Sequence, residues 1–191
     1  FVDVDDPDNV RRAITPRTRA VFVESLANPG GVVTDLEAIA AVTKAAGVPL
    51  VVDNTLATPY LCRPLDWGAD LVIHSTTKFL SGNGTSMGGA VIDSGRFDWS
   101  AGDKFKALTD PEPAYHGLKF QETFGDMAFA VHTHAVGLRD LGPTMAPLNA
   151  FLTLLGIETL PLRMERHCAN ALAVARFLQS HDEVAWVNYA G

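Results

Sequence analysis

Residues 19–53 read RAVFVESLANPGGVVTDLEAIAAVTKAAGVPLVVD, and this stretch decides the fold class. Arg19 to Glu24 is a short apolar run of strand type. Asn28-Pro29-Gly30-Gly31 is turn chemistry. Thr34-Asp35-Leu36-Glu37 has the T-x-x-E form of a capping box, opening an alanine-rich helix that runs to Ala46, and Gly47 is placed to end it. Val48 to Val52 is a second apolar run, ending at Asp53. A strand, a capped helix and a second strand of these lengths make a βαβ unit, whose two strands are parallel.

Further along, Ala69 to Ile73 predicts a third strand ending at His74-Ser75, and a glycine-rich stretch, Ser81 to Gly89, leads to a fourth at Gly89 to Asp93. Short, wholly apolar strands suit a sheet covered on both faces, so the expected class is α/β with a mostly parallel, doubly wound sheet. Residues 97–125 mix aromatics, Gly and Pro and predict no regular element. Met127 to Leu141 predicts a helix. The pattern from Pro147 to His181 is helical again, with Leu152, Leu155, Leu160, Met164 and Leu172 as core candidates and Pro161 kinking or restarting it. Val184 to Tyr189 predicts a further strand.

The composition narrows the function classes. Of 191 residues, 47% are apolar, enough for a large core. Fifteen basic against 22 acidic residues give a net charge of −7, which argues against a nucleic-acid or anionic-membrane surface. No apolar run reaches the length of a membrane span. No signal-peptide pattern opens the sequence, although Phe1 is not an initiator Met. Cys62 and Cys168 match no metal-ligand spacing, and a reducing, cytoplasmic setting is the expectation.

Chemistry gathers where the parallel strands end. Asp53 and Ser75-Thr76-Thr77-Lys78 each follow a predicted strand, at the edge where open α/β sheets bind ligands. Their types fit pyridoxal 5'-phosphate (PLP). A lysine can hold an aldehyde as a Schiff base, a carboxylate can pair with a protonated pyridine nitrogen, and hydroxyls can donate to a phosphate. Each residue also has a plainer reading: a solvated lysine, an Asp53 turn within D-N-T, and hydroxyls that satisfy local backbone. Ser75-x-x-Lys78 also matches the S-x-x-K of serine penicillin-binding enzymes, but it follows a strand and no K-T-G accompanies it. The phosphate-cradling pattern G-x-x-x-x-G-K-[ST] is absent. His132 and His134, two apart on a helix, point to different sides and read as surface histidines rather than metal ligands.

The run VVDNTLATPYLCRPLDWGADLVIHSTTKFLSGNG, residues 51–84, resembles the signature of the Cys/Met-metabolism PLP enzymes of fold type I. The likeness extends over essentially the whole chain. Residues 97–125 and 138–167 look like segments typical of the branch of that family that acts on O-acetylhomoserine. The resemblance implies that Lys78 forms the Schiff base and later moves protons, as a lysine withdrawn from water can. It implies that Asp53 pairs with the pyridine nitrogen, that Ser75 and Thr77 hold the phosphate, and that Asn28 contacts the ring hydroxyl; Glu24 carries over no chemical role. The implied activity is γ-replacement on O-acetyl-L-homoserine by sulfide or a thiol, in methionine biosynthesis, with γ-synthase, γ-lyase and methionine γ-lyase activities of the same family as alternatives. It further implies a cytoplasmic homotetramer, a dimer of dimers, with an amino-acid substrate and no nucleic-acid or membrane partner.

The family's glycine-rich phosphate turn, its ring-stacking aromatic, a Tyr and an Arg from a neighbouring subunit, and its substrate-carboxylate arginine have no counterpart in these residues. The expectation is therefore a central piece of a longer chain. Residues 1–146 would belong to the PLP-binding large domain, and 147–191 to a connecting helix and the start of a small C-terminal domain. A different class of reading is a piece that is catalytically incomplete alone and acts only with partner segments.

Overall fold

The computed structural model describes all 191 residues. Helix α1 (Pro7–Ala13) opens on Asp6, whose carboxylate accepts from Asp8 N, with a proline in its first turn. Strand β1 (Val21–Glu24) is followed by helix α2 (Leu36–Ala46) and strand β2 (Leu50–Asp53). The helix cap differs from the sequence expectation by one residue. Asp35 Oδ1 accepts from Ala38 N at 3.0 Å, while the Thr34 hydroxyl turns back to donate to Glu24 O at 2.7 Å. A carboxylate suits the partial positive charge of a helix N-terminus better than a hydroxyl does, which leaves Thr34 for the end of β1. Gly47 ends α2 in the left-handed region, φ 61°, as expected of a C-terminal glycine.

After the short helix α3 (Thr58–Leu61) come strand β3 (Leu71–Ser75) and strand β4 (Gly89–Asp93). The sheet order is β1-β2-β3-β4; the first three strands are parallel, and β4 runs antiparallel to β3 with Ser75 opposite Gly89. The sheet is covered on both faces. On one, Leu36, Ile39 and Val42 of α2 pack on Val23, Leu50, Val52 and Val72. On the other, Leu71 meets Trp99, Leu108, Phe120 and Ala128. The fully buried Ile39, Leu50 and Val52 each contribute about 1.5–3 kcal/mol by leaving water.

The second cover comes from residues 97–132, which sequence reading left unassigned over most of their length. They form helices α4 (Lys106–Thr109), α5 (Phe120–Phe124) and α6 (Ala128–His132) around stacked Trp99 and Phe129, 5.0 Å between ring centroids. The helix expected over 127–141 runs unbroken from Ala128 to Leu141, but its bonding widens from α6 into a π-helix at Thr133–Asp140. The Tyr115 hydroxyl lies 3.0 Å from Ala135 O within that segment, an acceptor drawn off by a side chain, a usual cause of a widened turn.

The long helical pattern divides into α7 (Pro147–Glu158) and α8 (Leu160–Gln179), so Pro161 sits in a first turn, where its missing N–H costs nothing. Leu160 and Met164 are buried against Leu80. Leu152 and Leu172 are only half-buried and Leu155 is 46% exposed, because the outer face of α7 meets nothing within these residues. Val184 to Tyr189 forms no strand, having no ladder partner here; instead Asn188 Nδ2 donates to Gly30 O at 2.8 Å. No helix is long and apolar enough to cross a membrane.

Candidate active site

Because β1, β2 and β3 are parallel, their C-terminal ends share one edge, and the register sets Glu24 beside Asp53 and Asp53 beside Ile73. Asn54 fastens this edge. It is fully buried, its amide donates to Cys62 O at 2.8 Å, and its oxygen accepts from Ser25 Oγ at 2.7 Å. Thr55 links the two candidate strand ends: Asp53 Oδ1 accepts from Thr55 N at 2.9 Å, and Thr55 Oγ1 accepts from Ser75 N at 2.8 Å. The plain turn role of Asp53 is therefore real, and it engages one carboxylate oxygen.

Lys78 follows in a tight turn in which Ser81 N donates to Thr76 O at 3.0 Å and Gly82 N to Lys78 O at 2.9 Å. Thr77 Oγ1 accepts from Gly88 N at 3.2 Å and points its proton at Gly88 O over a long 3.5 Å, so the local-backbone role also holds for Thr77; a closer acceptor could draw that rotatable proton away. Thr76 Oγ1 is buried without a partner, in a space where a Cβ on Gly88 would come within 2.8 Å. Lys78 itself is exposed. The withdrawal from water that suits a proton-moving lysine is thus not supplied by residues 1–191. Asn28 is also exposed, in a turn whose backbone is held by Glu24: Asn28 N donates to Glu24 Oε2 at 2.8 Å. That gives Glu24 the structural role that the sequence left blank.

The structure brings Asp53, Ser75, Thr77 and Lys78 to one edge, with the Asn28 turn following β1 on the same side. An amine, a carboxylate and hydroxyl donors meet the needs of an aldehyde, a ring nitrogen and a phosphate, so the donor set fits PLP. His74, one residue before Ser75, is buried with Nδ1 unpartnered; burial lowers its pKa, partly offset by the nearby Asp53 charge. It faces a cavity of about 220 Å³ beside Cys62, whose thiol pKa burial raises. A larger groove, about 720 Å³, lies instead at the strands' N-terminal ends, near Lys44, Asp70 and Arg96, away from the parallel edge. His134 is exposed, but His132 is half-buried edge-on against Phe120 at 4.9 Å; burial lowers its pKa, and it is not the surface residue expected.

Sequence reasoning missed the platform under the Lys78 turn. Ser86 Oγ donates to Asn149 O at 3.2 Å, and Asn149 Nδ2 donates to Met87 O at 3.0 Å. A Cβ on Gly156 would come within 2.2 Å of Ser81 O, so α7 meets the turn backbone to backbone. Gly156→Ala is expected to cost roughly 3 kcal/mol, since a backbone oxygen cannot step aside as a side chain can. Urea unfolding checks this, with Gly137→Ala as the control, where a Cβ meets only Thr133 Cγ2 at 3.6 Å.

The family model for Cys/Met metabolism PLP-dependent enzymes matches residues 1–191. The O-acetyl-L-homoserine sulfhydrylase of Leptospira meyeri is 54% identical over all of this chain, which covers 45% of that protein. The homocysteine synthase of Schizosaccharomyces pombe is 50% identical, again over all of this chain and 45% of its own length. A Campylobacter jejuni crystal structure, named provisionally as an O-acetylhomoserine (thiol)-lyase and holding N'-pyridoxyl-lysine-5'-monophosphate, superposes with a TM-score of 0.93 at 40% identity. That match covers 98% of this chain and 46% of the other. The chain thus spans about 45% of the length of the curated relatives it matches.

Proposed function

From the premise that the chain belongs to the Cys/Met metabolism PLP-dependent enzyme family, we propose that the whole protein replaces the acetate of O-acetyl-L-homoserine with sulfide, giving homocysteine and acetate. With methanethiol as the thiol donor, the product would be methionine. The carrying observation is that Asp53 and Ser75, linked through Thr55, end neighbouring parallel strands, with Lys78 three residues beyond Ser75 in the turn that follows. The names of the relatives, sulfhydrylase and homocysteine synthase, support the reaction class.

When bound, PLP supplies an electron sink for charge developing along the substrate's carbon chain. In this reading the chain's residues act around it. Lys78 Nζ holds the aldehyde carbon and later carries protons at the substrate's Cα and Cβ. The Asp53 carboxylate keeps a proton on the ring nitrogen. The Ser75 and Thr77 hydroxyls donate to the phosphate, and Asn28 contacts the ring hydroxyl.

Residues 1–146 then belong to the cofactor-binding domain, and 147–191 lead toward a C-terminal domain; the fresh start at Pro147 supports that division. Exposed Lys78 and the short span relative to the relatives support further segments, and a second copy of the chain, closing the site in a cytoplasmic homo-oligomer, a dimer of dimers. Free Cys62 and Cys168 suit a reducing compartment.

The test is homocysteine formation from O-acetylhomoserine and sulfide by the full-length protein with PLP. Turnover is expected there, and little or none from residues 1–191 alone. Release of a 2-oxo acid and ammonia without homocysteine would overturn the replacement reading in favour of γ-elimination.

A further inference from the structure

Arg163, in the first turn of α8, reaches across 84 residues to the turn that carries Lys78. Its Nη1 donates to Phe79 O at 2.8 Å, its Nη2 to Gly156 O at 2.6 Å, and its Nε to Thr159 Oγ1 at 3.1 Å. Two of these acceptors belong to the junction of α7 and α8, and the third is the carbonyl of the residue after Lys78. The guanidinium is half-buried and takes part in none of the molecule's ion pairs. Its donors are spent on backbone carbonyls and one hydroxyl, which is how an arginine acts as a bracket rather than as a counter-charge.

The surrounding chain is shaped to admit it. Gly82 closes the Lys78 turn at φ +79°, and a Cβ there would lie 2.6 Å from the Arg163 guanidinium carbon. Gly156 has no room for a Cβ against Ser81 O. Phe79 packs its ring on His167, one turn further along α8, at 5.2 Å. Residues 79–82 are therefore tied to the α7–α8 junction by one arm of the Arg163 fork, whose other two bonds anchor it to that junction, by the close approach of two glycines and by a ring contact.

We infer that Arg163 is a positioning residue for Lys78, holding the turn so that the amine keeps one approach to the reacting atoms; this rests on the proposed role of Lys78. A planar fork satisfies three acceptors in fixed geometry, and an ammonium on a flexible stem does not. Errors of about 1 Å in the placement of a reacting group can cost on the order of 100-fold in rate.

The experiment uses the full-length holoenzyme and compares Arg163→Lys and Arg163→Met with Tyr60→Phe. The last breaks a different tie of α8, the Tyr60 Oη to Glu165 bond from α3, without touching the Lys78 turn. Three readings are taken: kcat and KM, the circular dichroism of the bound cofactor in its own absorption band per mole of cofactor, and borohydride reduction with peptide mapping. Arg163→Lys is expected to lower kcat about 10- to 100-fold with KM within about twofold, and to reduce the cofactor dichroism. Arg163→Met is expected to do the same to a greater degree, and Tyr60→Phe to change neither.

If Arg163→Met does not fold, Arg163→Lys decides alone. Wild-type kcat and dichroism in Arg163→Lys, with the reduced adduct mapped to Lys78, would overturn the Arg163 role while leaving Lys78 in place. An adduct on any other lysine would overturn the Lys78 reading itself.

Discussion

Lys78→Ala in the full-length protein is expected to lower turnover by about 10³-fold or more, because one side chain is asked to hold the cofactor aldehyde and to move protons. The variant should still fold. Lys78 is exposed, and the turn's bonds run through backbone atoms, Ser81 N to Thr76 O and Gly82 N to Lys78 O, which alanine keeps. Stability within about 0.5 kcal/mol of wild type is the expectation for an exposed side chain without a special backbone role. Borohydride should then fix no cofactor to the variant. Near-normal kcat, or an adduct carried by Lys104, Lys106 or Lys119, would remove Lys78 from the site.

Asp53→Asn is expected to lower kcat by about 10²- to 10³-fold while the cofactor still binds, since a neutral amide cannot hold the ring nitrogen protonated. The geometry makes this a clean substitution. The only hydrogen bond that the Asp53 side chain makes inside the chain is the one accepted by Oδ1 from Thr55 N, and an amide oxygen can accept it equally well. The turn, and with it the Thr55 link to Ser75, should survive. Loss of turnover with an unchanged melting temperature separates the charge from the turn. Near-normal turnover would leave Asp53 as a turn residue alone.

What the sequence made legible was local or periodic. The strands at Val21–Glu24, Leu50–Asp53 and Leu71–Ser75 each begin two residues later than the apolar runs suggested, because hydrophobicity marks burial and not the first ladder bond. The cap of α2 fell to Asp35 instead of Thr34, a choice made by what Glu24 O needed in a different element. The strand proposed at 184–189 had the right residues, yet a strand exists only with a neighbour. The widened turns within the 127–141 helix coincide with the Tyr115 bond to Ala135 O, and the exposure of Leu155 follows from what α7 fails to meet; neither is written in the helical period. At the candidate site the D-N-T and S-T-T-K segments stood out as chemistry-bearing types. Arg163 and Gly156 did not, because a cation and a glycine acquire their roles only from chain segments tens of residues away, and the buried fastening role of Asn54 within D-N-T was hidden for the same reason, since its oxygen serves Ser25.

The 84-residue reach from Phe79 to Arg163 also sets a clock during synthesis. A ribosome adding about 5–20 residues per second needs roughly 4–17 seconds to travel that distance. For that interval the nascent Lys78 turn lacks its bracket, while β1, α2 and β2, whose contacts are shorter in sequence, are free to pair. A pause placed between codons 79 and 163 would lengthen the exposure of Leu80 before Leu160 and Met164 arrive to cover it. Synonymous changes there would then alter the yield of soluble protein without altering a single residue.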